Sequence, residues 1–230
     1  MQHSFSFVVP ALNEGLALAA TLDEIIKVMD QGGYDYEILV FDDASSDNTG
    51  QIADEYANKY RHIRAFHNPN TPQGIGYSYK KGIELASKEY YSLIHGDNEI
   101  NAALIKRLLE TAGKADFSIT YIEDDLRSSS RKRTSHVFTG LMNFLFGLNV
   151  PYYNGPSLIP LKLLREIPIL TNGHAFMAEI IVRLIKKGYV YEAIGFQTQI
   201  RCQGKSKAFR PKNIISVLRA LIRLRLSLRK

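Results

Sequence analysis

The residues best suited to chemistry are Asp97 and Glu99, in the stretch Tyr90-Tyr91-Ser92-Leu93-Ile94-His95-Gly96-Asp97-Asn98-Glu99-Ile100-Asn101. An apolar and aromatic run bounded by a glycine reads as a buried strand, so both carboxylates fall where that strand leaves its sheet. Anionic oxygens two residues apart, on a bend that Gly96 permits, suit a divalent cation whose other positions are filled by water or substrate phosphates. A nucleoside diphosphate is the natural guest. Taken alone, the pair reads more readily as a solvated acidic turn, because short acidic turns are common.

The elements that must position these groups alternate. Phe5 to Pro10 reads as a strand and Ala17 to Met29 as a helix closed by Gly32-Gly33. Glu37 to Phe41 is a second strand, ending in Asp42-Asp43, and Ser46 to Asn48 offer capping side chains for a helix running to about Tyr60. A strand at Ile63 to His67, a helix at Gly74 to Ala86, the strand of the acidic stretch, a helix at Ala102 to Ala112 and a strand at Asp116 to Tyr121 follow. Such alternation predicts an α/β fold: a mostly parallel sheet covered on both faces, with ligands bound beyond the carboxyl ends of its strands. Polar groups collect at those ends: Asn13 and Glu14 after the first strand, Asp42, Asp43, Ser45 and Asp47 after the second, Asp97 and Glu99 after the fourth. This convergence favours one shared site; the alternative is that Asn13, Asp47 and Asn48 merely cap helices.

Later the chain turns polar and basic from Glu123 to Arg133, which reads as a loop, before an apolar helix at Val137 to Leu148. A turn cluster at Pro151 to Pro156, a helix at Ala175 to Lys187 and a strand at Tyr189 to Gln199 come next. A last helix starts at Pro211. Ile214, Val217, Leu218, Leu221, Leu224 and Leu228 share one face, widened by Ile215, Ile222 and Leu226, with Arg219, Arg223, Lys230, Ser216 and Ser227 opposite. Arg225 and Arg229 fall on the apolar side, which suits snorkelling at a lipid interface. The alternative is packing of this helix on its own domain or on a partner.

With 230 residues, 45% of them hydrophobic, the chain can bury one substantial core. Residues 1–210 read as one domain and 211–230 as a basic appendage. The net charge of +6 hides an asymmetry, because residues 201–230 carry ten Lys or Arg and no acid, leaving 19 basic against 23 acidic side chains in residues 1–200. A basic tail on an acidic body points to an anionic membrane surface; without interleaved aromatics beyond Phe209 it does not favour nucleic acid. The single Cys202 excludes an intrachain disulfide framework and a Cys-rich zinc site, which fits a reducing cytosol. No run resembles a signal peptide or a bilayer span, so a cytoplasmic protein, peripheral at the membrane face, is expected.

Together the motifs resemble the inverting nucleotide-sugar glycosyltransferases of family two, and within it the polyprenyl-phosphate sugar transferases. Pro10-Ala11-Leu12-Asn13-Glu14 is similar to the family's Pro-x-x-Asn-Glu, and Asp42-Asp43-Ala44-Ser45-Ser46-Asp47-Asn48-Thr49 to its Asp-Asp-x-Ser-x-Asp-x-Thr. Asp97-Asn98-Glu99 stands in place of an Asp-x-Asp, and Gly74 opens a loosely matching helix region. The resemblance implies a GT-A, Rossmann-like α/β/α sandwich. It implies that Asp43 holds the nucleotide base with Pro10, Ala11, Asn13, Glu14, Asp42, Gly74 and Asn98 around the donor. It implies that Asp97, Glu99 and Asn101 face Mg²⁺ or Mn²⁺ on the diphosphate.

The same resemblance bears on the acceptor. Relatives that act on hydroxyls place a Glu-Asp pair at the start of the late helix, where this chain has Phe176-Met177. An acceptor phosphate is already anionic and needs cationic orientation rather than proton removal. Arg131 with Ser135, and Arg201 with Lys205-Ser206-Lys207, are similar to the acceptor-phosphate residues of the polyprenyl-phosphate enzymes, so Asp97, Arg131 and Arg201 are the expected catalytic groups. Without the resemblance, Arg131 to Arg133 is an ordinary solvated run and Glu179 a helix-face carboxylate. Three departures stand: Thr120 or Tyr121 replaces a strand-end arginine, Tyr152 or Tyr153 an aspartate, and Glu99 the second Asp of the metal motif. Transfer to a sugar hydroxyl with Glu179 or another carboxylate as base, or a non-catalytic nucleotide-sugar or membrane-binding relative, are the alternatives.

Overall fold

The computed structural model describes residues 3–68, 70–124, 128–197 and 211–228. Its strands are β1 (Ser4–Ala11), β2 (Asp35–Asp42), β3 (Ile63–His67), β4 (Tyr90–Leu93), β5 (Phe117–Asp124), β6 (Ser157–Pro160) and β7 (Tyr191–Gln197). They form one seven-stranded sheet in the order β3-β2-β1-β4-β6-β5-β7. All neighbours run parallel except β6, which is antiparallel to both β4 and β5. The helices are α1 (Leu18–Gly32), α2 (Thr49–Lys59), α3 (Ile75–Leu85), α4 (Ala102–Leu109), α5 (Ser129–Phe146), α6 (Leu161–Arg165), α7 (Phe176–Lys186) and α8 (Pro211–Ser227).

The period of two along the strands divides the core into two layers. Phe7, Val9, Ile38 and Val40 meet α1 and α4 through Leu22, Ile25, Leu104 and Leu108. Val8, Leu39, Phe41 and Tyr91 face α3, α5, α7 and α8 through Tyr79, Met142, Phe176, Ile180, Leu221 and Leu224. The later halves of β1 and β2, Phe7-Val8-Val9 and Ile38-Leu39-Val40-Phe41, are buried on both sides and apolar. Ser6 and Glu37 in their first halves are instead buried polar residues that pair, Ser6 Oγ donating to Glu37 Oε1 at 2.7 Å.

Two stretches differ from the sequence expectation. The basic segment expected as a loop up to Arg133 is helical from Ser129, so Arg131 sits in the first turns of α5. Nothing between Ser129 and Thr139 breaks a helix, and the basic side chains extend the amphipathic run that Val137 was expected to begin. The short β6 and α6 escaped the sequence reading altogether. Ser157-Leu158-Ile159-Pro160 is a four-residue strand, fully buried, and its registers Tyr90↔Pro160 and Tyr91↔Ile159 come from the sheet rather than from any local pattern.

The helix α8 divides the alternatives set out for it. Leu221 and Leu224 are buried in the core, with Val217 and Leu228 packed against it, so this stripe packs on the protein's own body. Leu218, Ile222 and Leu226 remain exposed. Ser227, expected on the outward face, accepts a hydrogen bond from Arg183 Nη2 at 2.9 Å. Arg183 pairs with Glu179 at 2.9 Å, and both are buried. The Glu179 carboxylate also accepts the backbone N–H groups of Leu170 and Thr171 at 3.0–3.2 Å.

Removing one partner of a buried, hydrogen-bonded ion pair strands the other charge. Arg183→Met should therefore lower the unfolding free energy by about 3–5 kcal/mol in a urea titration. Adding Glu179→Met should recover only part of that loss, because the Leu170 and Thr171 N–H groups then lack an acceptor. Full recovery in the double variant would show that the pair, not its hold on the loop, is what matters.

Candidate active site

The strand order β2-β1-β4 brings three chain exits together. Ala11 stands opposite Asp42 in the β1–β2 register, and Asp43 N–H donates to Ala11 O at 2.8 Å. Beyond β4 the pairing with β1 continues, with Ile94 N–H on Val8 O at 3.0 Å and Gly96 N–H on Pro10 O at 3.2 Å. The stretch His95-Gly96-Asp97 thus runs beside Pro10 and Ala11. Gly96 permits this approach: a Cβ there would stand 3.1 Å from Ala11 Cβ and 3.3 Å from Pro10 O.

The first two loops are stitched by reciprocal bonds. Asn13 Oδ1 accepts Ser46 N–H at 2.8 Å, while Ser45 Oγ accepts Asn13 N–H at 2.9 Å. Thr49 Oγ1 accepts Glu14 N–H at 2.9 Å, and Asp47 Oδ2 accepts Gly15 N–H at 3.1 Å. Asn13 therefore bridges loops rather than capping a helix, and Asn48 stands at the N-cap of α2 without a side-chain cap bond. Asp47 holds Thr49 N–H at 3.0 Å. Burial alone would raise the Asp47 pKa, but the bonds from Thr49 and Gly15 carry it below the ordinary carboxylate value.

The third loop hangs from α1. Thr21 Oγ1 accepts Asn98 N–H at 3.0 Å, and Glu24 Oε2 accepts Ala102 N–H at 2.9 Å. Neither residue was singled out from the sequence, since a mid-helix Thr or Glu carries no pattern that announces such a contact. Among the described residues, the non-glycine positions with positive φ are Asn13, Ala44 and Asn98, at 56°, 61° and 54°, one in each loop. Asparagine tolerates this region; alanine there costs about 1–2 kcal/mol. Backbone strain of this kind gathers at binding and catalytic loops.

Both aspartates after β2 face inward. Asp43, expected to meet the base, is buried, and its carboxylate accepts Asn68 Nδ2 at 2.7 Å, Gln73 N–H at 2.8 Å and Gly74 N–H at 2.9 Å. It holds the segment leading into α3 as a wall. Asp42 accepts Ser45 N–H at 3.0 Å and meets His67 Nδ1 at 3.2 Å, while His67 Nε2 meets Asp54 at 3.0 Å. A further wall comes from the segment before α7: Asn172 O accepts Gly76 N–H at 3.0 Å. There His174 lies beside His95, and its pKa is lowered by desolvation first and by the His95 charge second.

At the acidic stretch itself, Asp97 Oδ1 accepts Glu99 N–H at 3.2 Å. Arg131 Nη1 stands 3.6 Å from Glu99 Oε1. The cation expected on the acceptor side therefore reaches the carboxylates expected on the donor side. Ser135 follows Arg131 by one helical turn on α5. Arg201 and Lys205 lie outside the described residues. Asn101, expected to face a metal, instead caps α4, its Oδ1 accepting Leu104 N–H at 2.9 Å. Phe176 and Met177 are buried, and the Glu179 carboxylate is held by Arg183 and two backbone N–H groups, so neither position presents a base.

Among the described residues no group of three or more His, Cys, Asp or Glu side chains can hold a metal by itself. A cation completed by substrate phosphates needs only one or two protein carboxylates. Asp97 and Glu99, both partly exposed at a strand exit, fit that donor set. A separate polar cleft of about 450 Å³, lined by Glu37, Arg61, His62, Arg64 and Lys88 among others, lies at the opposite ends of the strands. Two of its cations are paired internally, Arg64 with Glu37 and Lys88 with Asp35.

His67 provides a pH test of the β2 loop. Desolvation lowers its pKa, but Asp54 and Asp42 outweigh this and raise it above the usual 6.5. A raised folded-state pKa contributes stability that is complete below the unfolded value and is lost as pH rises through the folded one. The melting temperature should fall across that window in the wild type, and His67→Gln should flatten the fall. An unchanged pH profile in the variant would remove His67 from the account.

Residues 6–167 match the sequence pattern of Glycosyl transferase family 2. The chain is 27% identical over 123 residues to the uncharacterized glycosyltransferase YibD of Escherichia coli, covering 54% of this chain and 34% of that protein. It is 39% identical over 101 residues to the cholesterol galactosyltransferase of Borreliella burgdorferi, covering 44% and 27%. This chain thus spans about a third of the length of the curated relatives it matches. Among solved structures, mannosyl-3-phosphoglycerate synthase from Rubrobacter xylanophilus superposes with a TM-score of 0.75 at 18% identity, over 99% of this chain and 76% of that one. Glucosyl-3-phosphoglycerate synthase from Mycobacterium tuberculosis, in complex with Mn²⁺, uridine diphosphate and phosphoglyceric acid, gives 0.74 at 18% identity, over 98% and 78%. At such identity the structural likeness speaks for the fold, the GT-A type α/β sandwich. With the pattern covering more than two thirds of the sequence on that fold, the chain belongs to glycosyl transferase family 2.

Proposed function

We propose that the protein moves one sugar from a nucleoside-diphosphate sugar to a phosphate-bearing acceptor, a lipid-linked polyprenyl phosphate, with inversion at the anomeric carbon. The observation that carries this reading is the approach of Arg131 Nη1 to Glu99 Oε1 at 3.6 Å: the cation proposed here for the acceptor phosphate stands beside a carboxylate proposed for the donor side. Asn13, the loop held by Asp43, and Gly74 frame the nucleotide. Arg131, with Ser135 one turn on, orients the acceptor phosphate; Arg201 and Lys205 join them in this proposal. A divalent cation, Mg²⁺ or Mn²⁺, held by Asp97 with Glu99 beside it would neutralise charge on the departing diphosphate. Phosphate oxygen attacks the anomeric carbon without losing a proton, so the buried Phe176 and Met177 in place of a base are no obstacle.

A second reading is transfer to a hydroxyl. It is favoured by the names of the neighbours, since the structural ones are glucosyl-3-phosphoglycerate and mannosyl-3-phosphoglycerate synthases and one curated relative is a cholesterol galactosyltransferase. It requires a base other than Glu179.

With Mn²⁺ and polyprenyl phosphate, the purified protein should consume a nucleotide-sugar, and phosphatase treatment of the lipid should stop the reaction. Asp97→Asn should lower kcat/KM by roughly 10²–10³ while still melting in one cooperative transition, because the amide oxygen still accepts Glu99 N–H. Turnover that survives removal of the acceptor phosphate would favour the hydroxyl reading. Full activity in Asp97→Asn would remove the proposed site, and nucleotide binding without turnover on any donor would favour a non-catalytic relative.

A further inference from the structure

We propose that α5 and α8 together form a docking face for an anionic lipid surface. Six of the ten exposed large apolar side chains among the described residues lie on these two helices. On α5 they are Val137, Leu141 and Phe144, 65%, 37% and 85% exposed; on α8 they are Leu218, Ile222 and Leu226, 48%, 62% and 58% exposed. Each set follows helical spacing, so each forms a stripe rather than a scatter. On α8 this stripe is additional to the one formed by Leu221 and Leu224, which packs inward. Isolated exposed apolar residues need no explanation, but stripes on neighbouring helices mark an interaction surface.

The two helices are joined. Both contribute to the same core layer, through Met142 and Phe146 of α5 and Leu221 and Leu224 of α8. The Arg225 guanidinium donates to the Leu145 carbonyl. That bond lies one residue from Phe144 on α5 and one residue from Leu226 on α8, so exposed apolar groups flank the junction on both helices.

Charge selects the occupant. Neither helix contains an Asp or Glu, whereas Lys132, Arg133, Arg219 and Arg223 are all present. Apolar stripes edged by long cationic side chains suit the boundary between acyl chains and anionic headgroups, where those side chains reach outward to phosphate. No helix among the described residues is long and apolar enough to cross a membrane, so contact through these helices lies along the surface. The α5 helix carries Arg131 near one end and Phe144 near the other, about 20 Å apart at 1.5 Å per residue. A docked α5 would thus run from the lipid to the acceptor side of the site.

Flotation with vesicles, in the absence of sugar donor, tests the face separately from any transfer reaction. The wild type should float with vesicles containing phosphatidylglycerol but not with pure phosphatidylcholine, and added salt should weaken the binding. Phe144→Ser combined with Ile222→Ser should lower partitioning at least tenfold, while Arg219→Gln with Arg223→Gln should erase the preference for the anionic vesicles. All four side chains are exposed, so circular dichroism and melting should match the wild type. Asp97→Asn should float normally whatever its activity. The proposal is overturned by equal flotation of the wild type and the Phe144/Ile222 variant, by no flotation with anionic vesicles, or by a concentration-dependent dimer that the same substitutions abolish.

Discussion

Carboxylates accepting backbone N–H groups hold this site in shape. Asp42 takes Ser45 N–H, Asp43 takes those of Gln73 and Gly74, Asp47 those of Gly15 and Thr49, and Asp97 that of Glu99. Hydrogen bonds to a charged acceptor contribute about 1.5–3 kcal/mol each, roughly twice a neutral bond. They let several negative charges stand close together where parallel strands end. The loops so fixed include three residues in left-handed backbone geometry, a strain that the surrounding bonds must hold in place.

That constraint divides the acidic residues by task. Asp42, Asp43 and Asp47 face structural partners, while Asp97 and Glu99 stand partly exposed beyond the end of β4. The helices α7 and α8 approach from the other core layer. Ser227 of α8 receives Arg183, Arg183 pairs with Glu179, and Glu179 receives the N–H groups of Leu170 and Thr171. The next residue, Asn172, receives Gly76 N–H at the start of α3, two residues after the Gly74 that Asp43 holds. A continuous line of hydrogen bonds and short backbone steps therefore joins the C-terminal helix to the loop after β2.

Much of this was legible in the sequence because it lies in local pattern. Apolar runs gave β1, β2 and β4, and the polar clusters after them marked the exits that the sheet then brings together. Other parts depend on contacts distant in sequence. Thr21 meets Asn98 across 77 positions and Arg131 meets Glu99 from another layer, and neither spacing leaves a local trace. β6 is too short to show a period. Asn101 looks like a ligand as readily as a cap, because the same amide oxygen serves both. The exposed stripe of α8 could not be told from its packing stripe until the body against which it packs was in place.

The most direct measurement of the central claim is a crystal structure with Mn²⁺ and a nucleoside diphosphate bound, using the anomalous signal of manganese to place the metal. Manganese should lie at Asp97, with the diphosphate between the exits of β1 and β4 and the base against the Asn13 loop and the wall that Asp43 holds. A well-ordered diphosphate elsewhere, such as the cleft lined by Arg61, Arg64 and Lys88, with no metal at Asp97, would contradict it.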